Sequence, residues 1–156
     1  MSIALTIDGK TVHAEPGMSV LQAARAGEVY IPTLCYHPKL RPAGACRLCV
    51  VEIEGLRGFP TACTVPAAEG MVVHTDTEAV RSLRRETLGL ILSEHPYTCL
   101  VCRAGCDLYQ MTVRKAGVTT GCQYCPSNGQ CELQDLVDHL DLQEMCYPID
   151  YRGLPV

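Results

Sequence analysis

Apolar and polar positions alternate from Ile3 to Ile7, and the chain returns from Thr11 to Ala14, with Asp8-Gly9 between the two runs. A period of two marks a half-buried strand, and Asp-Gly is a preferred two-residue hairpin turn, so the chain is expected to open with a β-hairpin. The period then changes. Ser19 is a good N-cap for a helix whose apolar positions Val20, Leu21, Ala23 and Ala24 run to Gly27. Leu48 to Ile53 reads as a strand and Met71 to His74 as a shorter one. Two strands, a helix, an irregular loop and further strands predict a small α+β domain ending near Asp76.

Thr75-Asp-Thr-Glu78 fits a capping box. The helix expected after it carries Val80, Leu83, Leu90 and Ile91 toward one side and stops before Pro96. Nothing between Asp76 and Val80 reads as a Gly/Ser linker, so the second domain is expected to pack on the first. Residues 95–146 show little strand signal but contain an internal repeat. Cys99-x2-Cys102-x3-Cys106-Asp-Leu is followed by Cys122-x2-Cys125-x5-Cys131-Glu-Leu. Each third cysteine opens a helical pattern, with Leu108 and Met111 in one copy and Leu133, Leu136, Val137 and Leu140 in the other. Two copies of one metal-binding unit are expected.

Composition sharpens this. The 156 residues include 11 cysteines, far above ordinary usage, with one Phe and no Trp. Domains this small often need a metal or a covalent staple. Disulfide scaffolds belong to secreted chains, but the first 17 residues lack a basic start followed by a long apolar run. An odd number of cysteines also sits badly with full pairing. Metal is therefore expected, in a reduced, cytoplasmic protein. The longest apolar stretch, Leu88 to Leu92, is too short to cross a membrane. The formal charge of −4 and the lack of a basic run argue against nucleic acid.

The spacing Cys35-x10-Cys46-x2-Cys49-x13-Cys63 is the strongest chemical signal. Iron–sulfur clusters are held by thiolates, and a [2Fe–2S] centre takes four. The close pair must lie in a loop that wraps the cluster, and Pro42, Gly44 and Ala45 supply turn-forming and small residues there. Four-cysteine zinc sites also use Cys-x2-Cys, but they usually add a second close pair, whereas Cys35 and Cys63 stand alone. His37 lies inside this loop, yet four cysteines already complete the site. Arg47 reads as a donor beside the cluster or a partner contact.

Residues 1–78 resemble the plant-type ferredoxin domain at the start of the large iron–sulfur subunit of respiratory complex I. They are equally similar to the start of iron-only hydrogenases, diaphorase subunits of NAD-reducing hydrogenases and NAD-dependent formate dehydrogenases. Ile31-Pro-Thr-Leu-Cys-Tyr-His-Pro38, Gly44-Ala-Cys-Arg-Leu-Cys-Val-Val-Glu52 and Thr61-Ala-Cys-Thr64 carry the resemblance. It implies a β-grasp fold and a low-potential one-electron carrier, near −400 mV for plant-type clusters. The family continues with a His-x3-Cys-x2-Cys-x5-Cys module that binds [4Fe–4S]. His95-Pro-Tyr-Thr-Cys99-Leu-Val-Cys102 matches its first half, and Cys131-Glu-Leu-Gln-Asp135 its last part, about 25 residues late. The module is thus doubled or interrupted here.

The resemblance implies one or two [4Fe–4S] clusters. One set is His95, Cys99, Cys102 and Cys106; a second is Cys122, Cys125 and Cys131 with Cys146. Val118 stands where His95 would repeat and cannot bind metal, so the second unit must take a ligand from elsewhere. The sets also have an interleaved arrangement, His95, Cys99 and Cys102 with Cys131, and Cys106 with Cys122, Cys125 and Cys146. Cys146 is required in both.

The expected organisation is an α+β β-grasp [2Fe–2S] domain over 1–78, followed by a small, mostly helical cluster domain over 79–156. The expected role is electron relay inside an oxidoreductase complex, with no substrate site on this chain. Partners would be an NAD(P)H–flavin iron–sulfur subunit and a further redox subunit. No dinucleotide fingerprint or P-loop is present in the sequence. The competing expectation is a ferredoxin domain with zinc at one repeat site, acting as an assembly or docking factor.

Overall fold

The computed structural model of the chain describes residues 2–94 and 131–142. Strands β1 (Ile3–Ile7) and β2 (Lys10–Ala14) pair antiparallel, from Ile3 opposite Ala14 to Ile7 opposite Lys10. Asp8 and Gly9 have φ of 49° and 79°. Positive φ at both central residues is the type I′ turn, whose twist matches that of the flanking strands. The pleat sends Leu5, Ile7, Val12 and Ala14 inward, while Lys10, Thr11 and His13 face solvent.

Helix α1 (Val20–Ala26) begins in a full capping box. The Gln22 amide N–H donates to Ser19 Oγ, and the Ser19 N–H donates to Gln22 Oε1 at 2.8 Å. Gly27 ends the helix, but at φ −86°, outside the left-handed region. Space rather than conformation explains it: a Cβ here would lie 2.6 and 2.9 Å from the Val12 methyls.

Strands β3 (Glu52–Ile53) and β4 (Val72–His74) complete a mixed sheet of order β2-β1-β4-β3. The β1–β4 pair is parallel and the other two are antiparallel. The regular part of the run from Leu48 is shorter than its composition predicts. Residues 49–51 instead bond to the segment at 60–62, with Val51 N–H donating to the Pro60 carbonyl and Ala62 N–H to that of Cys49. A long loop returns the chain to that pairing, which a propensity reading over Leu48 to Ile53 does not register.

Helix α2 (Glu78–Ser93) starts two residues later than the Thr75 capping box predicts. Thr75 is committed elsewhere, donating twice to Asp8, and Thr77 Oγ1 accepts from the Val80 N–H instead. Its inward stripe also differs from the expected one. Val80, Arg84, Leu88 and Leu92 are buried, and Leu90 is exposed. The steps of four keep these residues on one face, but the charge on Arg84 hid the stripe.

Helix α3 (Glu132–His139) follows Cys131 and buries Gln134, Leu136 and Val137. Among the described residues, the chain forms two compact units, Met1–Arg84 and Arg85–Val156. In the second, Arg85 Nε donates to the Leu140 carbonyl at 2.7 Å. In the first, the core gathers Leu5, Ile7, Leu21, Val51 and Val73, and it includes Cys49 and Cys63.

Candidate metal centre

Three segments deliver Cys35, Cys46, Cys49 and Cys63. Helix α1 fixes two of them. Its first turn has N–H groups with no partner inside the helix. Val20 N–H donates to the Val65 carbonyl and Leu21 N–H to that of Ala62, both at 2.9 Å, so the segment bearing Cys63 is tied to the helix start. At the other end, Arg25 donates to Thr33 Oγ1 at 3.3 Å and lies 4.6 Å from the centre of the Tyr36 ring. That clasp holds the approach to Cys35 by a hydrogen bond and a cation–π contact.

The loop bearing Cys46 and Cys49 is shaped by two left-handed residues, Gly44 at φ 64° and Arg47 at φ 58°. Gly44 is needed twice over. Its φ suits glycine, and a Cβ would come within 3.1 Å of Thr61 Oγ1 and Thr64 Cγ2. Those threonines form the turn around Cys63, their hydroxyls 2.6 Å apart. Arg47 takes a strained backbone without glycine's freedom, and its side chain donates to the Phe59 carbonyl at 3.1 Å. His37 is exposed, its Nδ1 accepting from the Lys39 N–H, which leaves the site to the cysteines.

The four thiols are linked pairwise. Cys46 N–H donates to Cys35 Sγ at 3.4 Å. Burial opposes a charged Cys46, but hydrogen bonds from the Leu48, Cys35 and Leu34 backbone and from the Cys35 side chain outweigh it and lower the pKa. Burial pushes Cys49 up to about 12; a Cys63 backbone hydrogen bond opposes this, while the Cys63 side chain and the charges of Cys63 and Cys46 reinforce it. Cys46 and Cys49 thus each feel a neighbouring cysteine. Thiolates crowded in this way repel one another, and a cationic iron core relieves that repulsion. The donor set fits an iron–sulfur cluster.

Exposure grades across the site: Cys35 is exposed, Cys46 half-buried, and Cys49 and Cys63 are buried. Among the described residues, no three His, Cys, Asp or Glu side chains converge on a point where one ion would sit. A two-iron cluster asks for two thiolates on each iron rather than four on one.

Of the other predicted ligands, Cys131 is half-buried at the N-cap of α3. His95, Cys99, Cys102, Cys106, Cys122, Cys125 and Cys146 lie outside the described residues. No described helix is long and apolar enough to cross a membrane. Arg25 escaped the sequence reading as part of the site, as did the packing of Gly44 against Thr61 and Thr64, because these roles depend on which loops meet.

Residues 1–78 match the family described as the 2Fe-2S iron–sulfur cluster binding domain. The chain is 41% identical over 114 residues to the mitochondrial NADH-ubiquinone oxidoreductase 78 kDa subunit of Candida albicans, covering 72% of this chain and 16% of that protein. It is 35% identical over 150 residues to the NADP-reducing hydrogenase subunit HndD of Solidesulfovibrio fructosivorans, covering 93% of this chain and 22% of that one. The chain therefore spans less than a quarter of the length of these curated relatives. Among solved structures, it is similar to a chain of an NAD+-reducing [NiFe]-hydrogenase in the H2-reduced state, with a TM-score of 0.78 and 28% identity. That similarity covers 99% of this chain and 56% of the other.

Proposed function

The chain belongs to the 2Fe-2S iron–sulfur cluster binding domain family, and from that premise we propose that it relays single electrons within a multi-subunit oxidoreductase complex. The observation that carries the proposal is the pairing of Cys35 with Cys46 and of Cys49 with Cys63 by three segments of one unit, the Cys46 N–H bonding Cys35 Sγ and the Cys63 side chain helping to raise the Cys49 pKa. These four would hold one [2Fe–2S] cluster in a β-grasp domain over residues 1–78. The cluster supplies reversible one-electron chemistry at low potential. The residues supply the rest. Cys49 and Cys63, within the core, keep water from the inner side, and Cys35 at the surface gives the outer side a short path to a partner.

The relatives support the partner class. Their names describe NADH- and NADP-linked oxidoreductases, so the neighbours proposed here are an NAD(P)H–flavin iron–sulfur subunit and a further redox subunit. Residues 79–156 would form a second, mostly helical cluster domain. There His95, Cys99, Cys102 and Cys106, and Cys122, Cys125, Cys131 and Cys146, would hold [4Fe–4S] clusters, in that pairing or interleaved. Substrate chemistry would lie on the partners.

Iron, zinc and acid-labile sulfide analysis of the full chain, with EPR of the dithionite-reduced protein, tests the proposal. Ten irons per chain, at most, are expected from one two-iron and two four-iron clusters (roughly, at full loading), with a low-potential [2Fe–2S] signal. A folded chain holding only zinc would overturn it.

A further inference from the structure

Arg84 is buried to 2% exposure in the first unit. Its Nη2 donates to the Val50 carbonyl at 2.7 Å. Val50 directly follows Cys49. The Cys49 carbonyl and the Val51 N–H on either side are bonded to Ala62 and Pro60, and the Val50 carbonyl takes the guanidinium. The arginine Nε, also buried, meets no acceptor among the described residues. Burial pulls the Arg84 pKa below the ordinary arginine range, while Asp76, Cys49, Asp8 and Tyr30, in that order, pull it back. Asp76 is already paired with Arg81, and Asp8 accepts two hydrogen bonds from Thr75.

A buried cation with an unpaired N–H carries a desolvation cost that its hydrogen bond to the Val50 carbonyl offsets only in part. Stability alone therefore does not account for Arg84. Its charge does have one consequence. Guanidinium stays protonated at physiological pH, and this one is fixed on the carbonyl of the residue that follows Cys49, within electrostatic reach of that cysteine, where low dielectric strengthens its field.

We infer that Arg84 sets the reduction potential of the cluster held by Cys35, Cys46, Cys49 and Cys63, its charge, fixed on the carbonyl next after Cys49, favouring the reduced state. This rests on the four-cysteine reading above. One electron from a reduced flavin or iron–sulfur partner adds one negative charge to the site and leaves the partner oxidised by one electron. No bond or proton changes hands. A nearby positive charge lowers the free energy of the more negative state, and so raises the potential. Arg84 acts here as a positioning residue for charge, not as a ligand.

The test is an EPR-monitored redox titration of the [2Fe–2S] signal in the full chain at pH 6. Arg84→Met removes the charge and the hydrogen bond; Arg84→Gln removes the charge and keeps a donor for the Val50 carbonyl; Arg84→Lys keeps the charge. Both neutral variants should shift the one-electron equilibrium about tenfold toward the oxidised form, which is about 59 mV more negative. Arg84→Lys should stay nearer the wild type than either. Should Arg84→Met fail to fold, Arg84→Gln still reads the charge. Neutral variants at the wild-type potential would overturn the inference alone, as would a lysine variant displaced as far as Arg84→Gln. A wild-type chain without a [2Fe–2S] signal would overturn the four-cysteine reading along with it.

Discussion

Asp8 and Thr75 are joined by two hydrogen bonds: the Thr75 backbone N–H donates to Asp8 Oδ1 at 2.7 Å and its hydroxyl to Oδ2 at 2.5 Å. Asp8 sits in the hairpin turn and Thr75 just past β4, so the pair fastens the end of the sheet to the start of α2. Charge-assisted bonds of this kind contribute more than neutral ones. Asp8→Ala should destabilise the metal-free chain by about 1–3 kcal/mol. Asp8→Asn, which still accepts one bond and tolerates the positive φ, should cost less. Urea unfolding by circular dichroism checks the order; an alanine variant as stable as wild type would contradict it.

The thiols set a pH dependence in the metal-free chain. Cys49 rises from an ordinary value of 9.0 to about 12. A group with a raised native pKa contributes stability that is fully present below its unfolded value and lost as pH climbs toward the native one. Wild type should therefore lose stability more steeply than Cys49→Ala as pH rises from 9.0 toward about 12. Parallel urea midpoints for the two chains across that range would rule this out. Iodoacetamide at pH 8 should also label Cys46, whose pKa is lowered, ahead of buried Cys49.

Gly27 and Val12 form a tight contact that sequence alone does not announce. Gly27→Ala drives a Cβ to within 2.6 Å of a stiff, buried Val methyl, and overpacking of this kind costs about 1–3 kcal/mol. Combined with Val12→Ala, the same substitution should cost less than it does alone. Strictly additive midpoints in thermal unfolding would show that the clash is not felt.

In the repeat region the informative residue is Cys146, which both ligand pairings require. Cys146→Ala should lower iron by up to about four atoms per chain, one cubane's worth, or leave a three-iron form, with the [2Fe–2S] signal intact. Unchanged iron and EPR would make it an ordinary core cysteine.

Legibility followed locality. The hairpin, the Ser19 cap and α1 were readable because period, turn and cap lie within a few residues of one another. The spacing of Cys35, Cys46, Cys49 and Cys63 was readable because each thiol's chemistry is explicit in its side chain. What escaped depends on distant partners. Thr75 reads as a cap until Asp8, 67 residues away, claims it. Arg84 has no place in the expected apolar stripe, and only the Val50 carbonyl, 34 residues away, explains its burial. Gly27 reads as the end of a helix, and its contact with Val12 is visible only once the fold brings the two together.

The gradient from exposed Cys35 to buried Cys63 has a consequence for how this protein ages. The side open to a redox partner is also the side that small oxidants reach first. Oxidation of cysteine follows thiolate character and access, so damage in the empty site should begin at Cys35 and Cys46 and spare the inner pair. A chain worn in this way keeps its core and its fold while losing the outer half of its grip on iron.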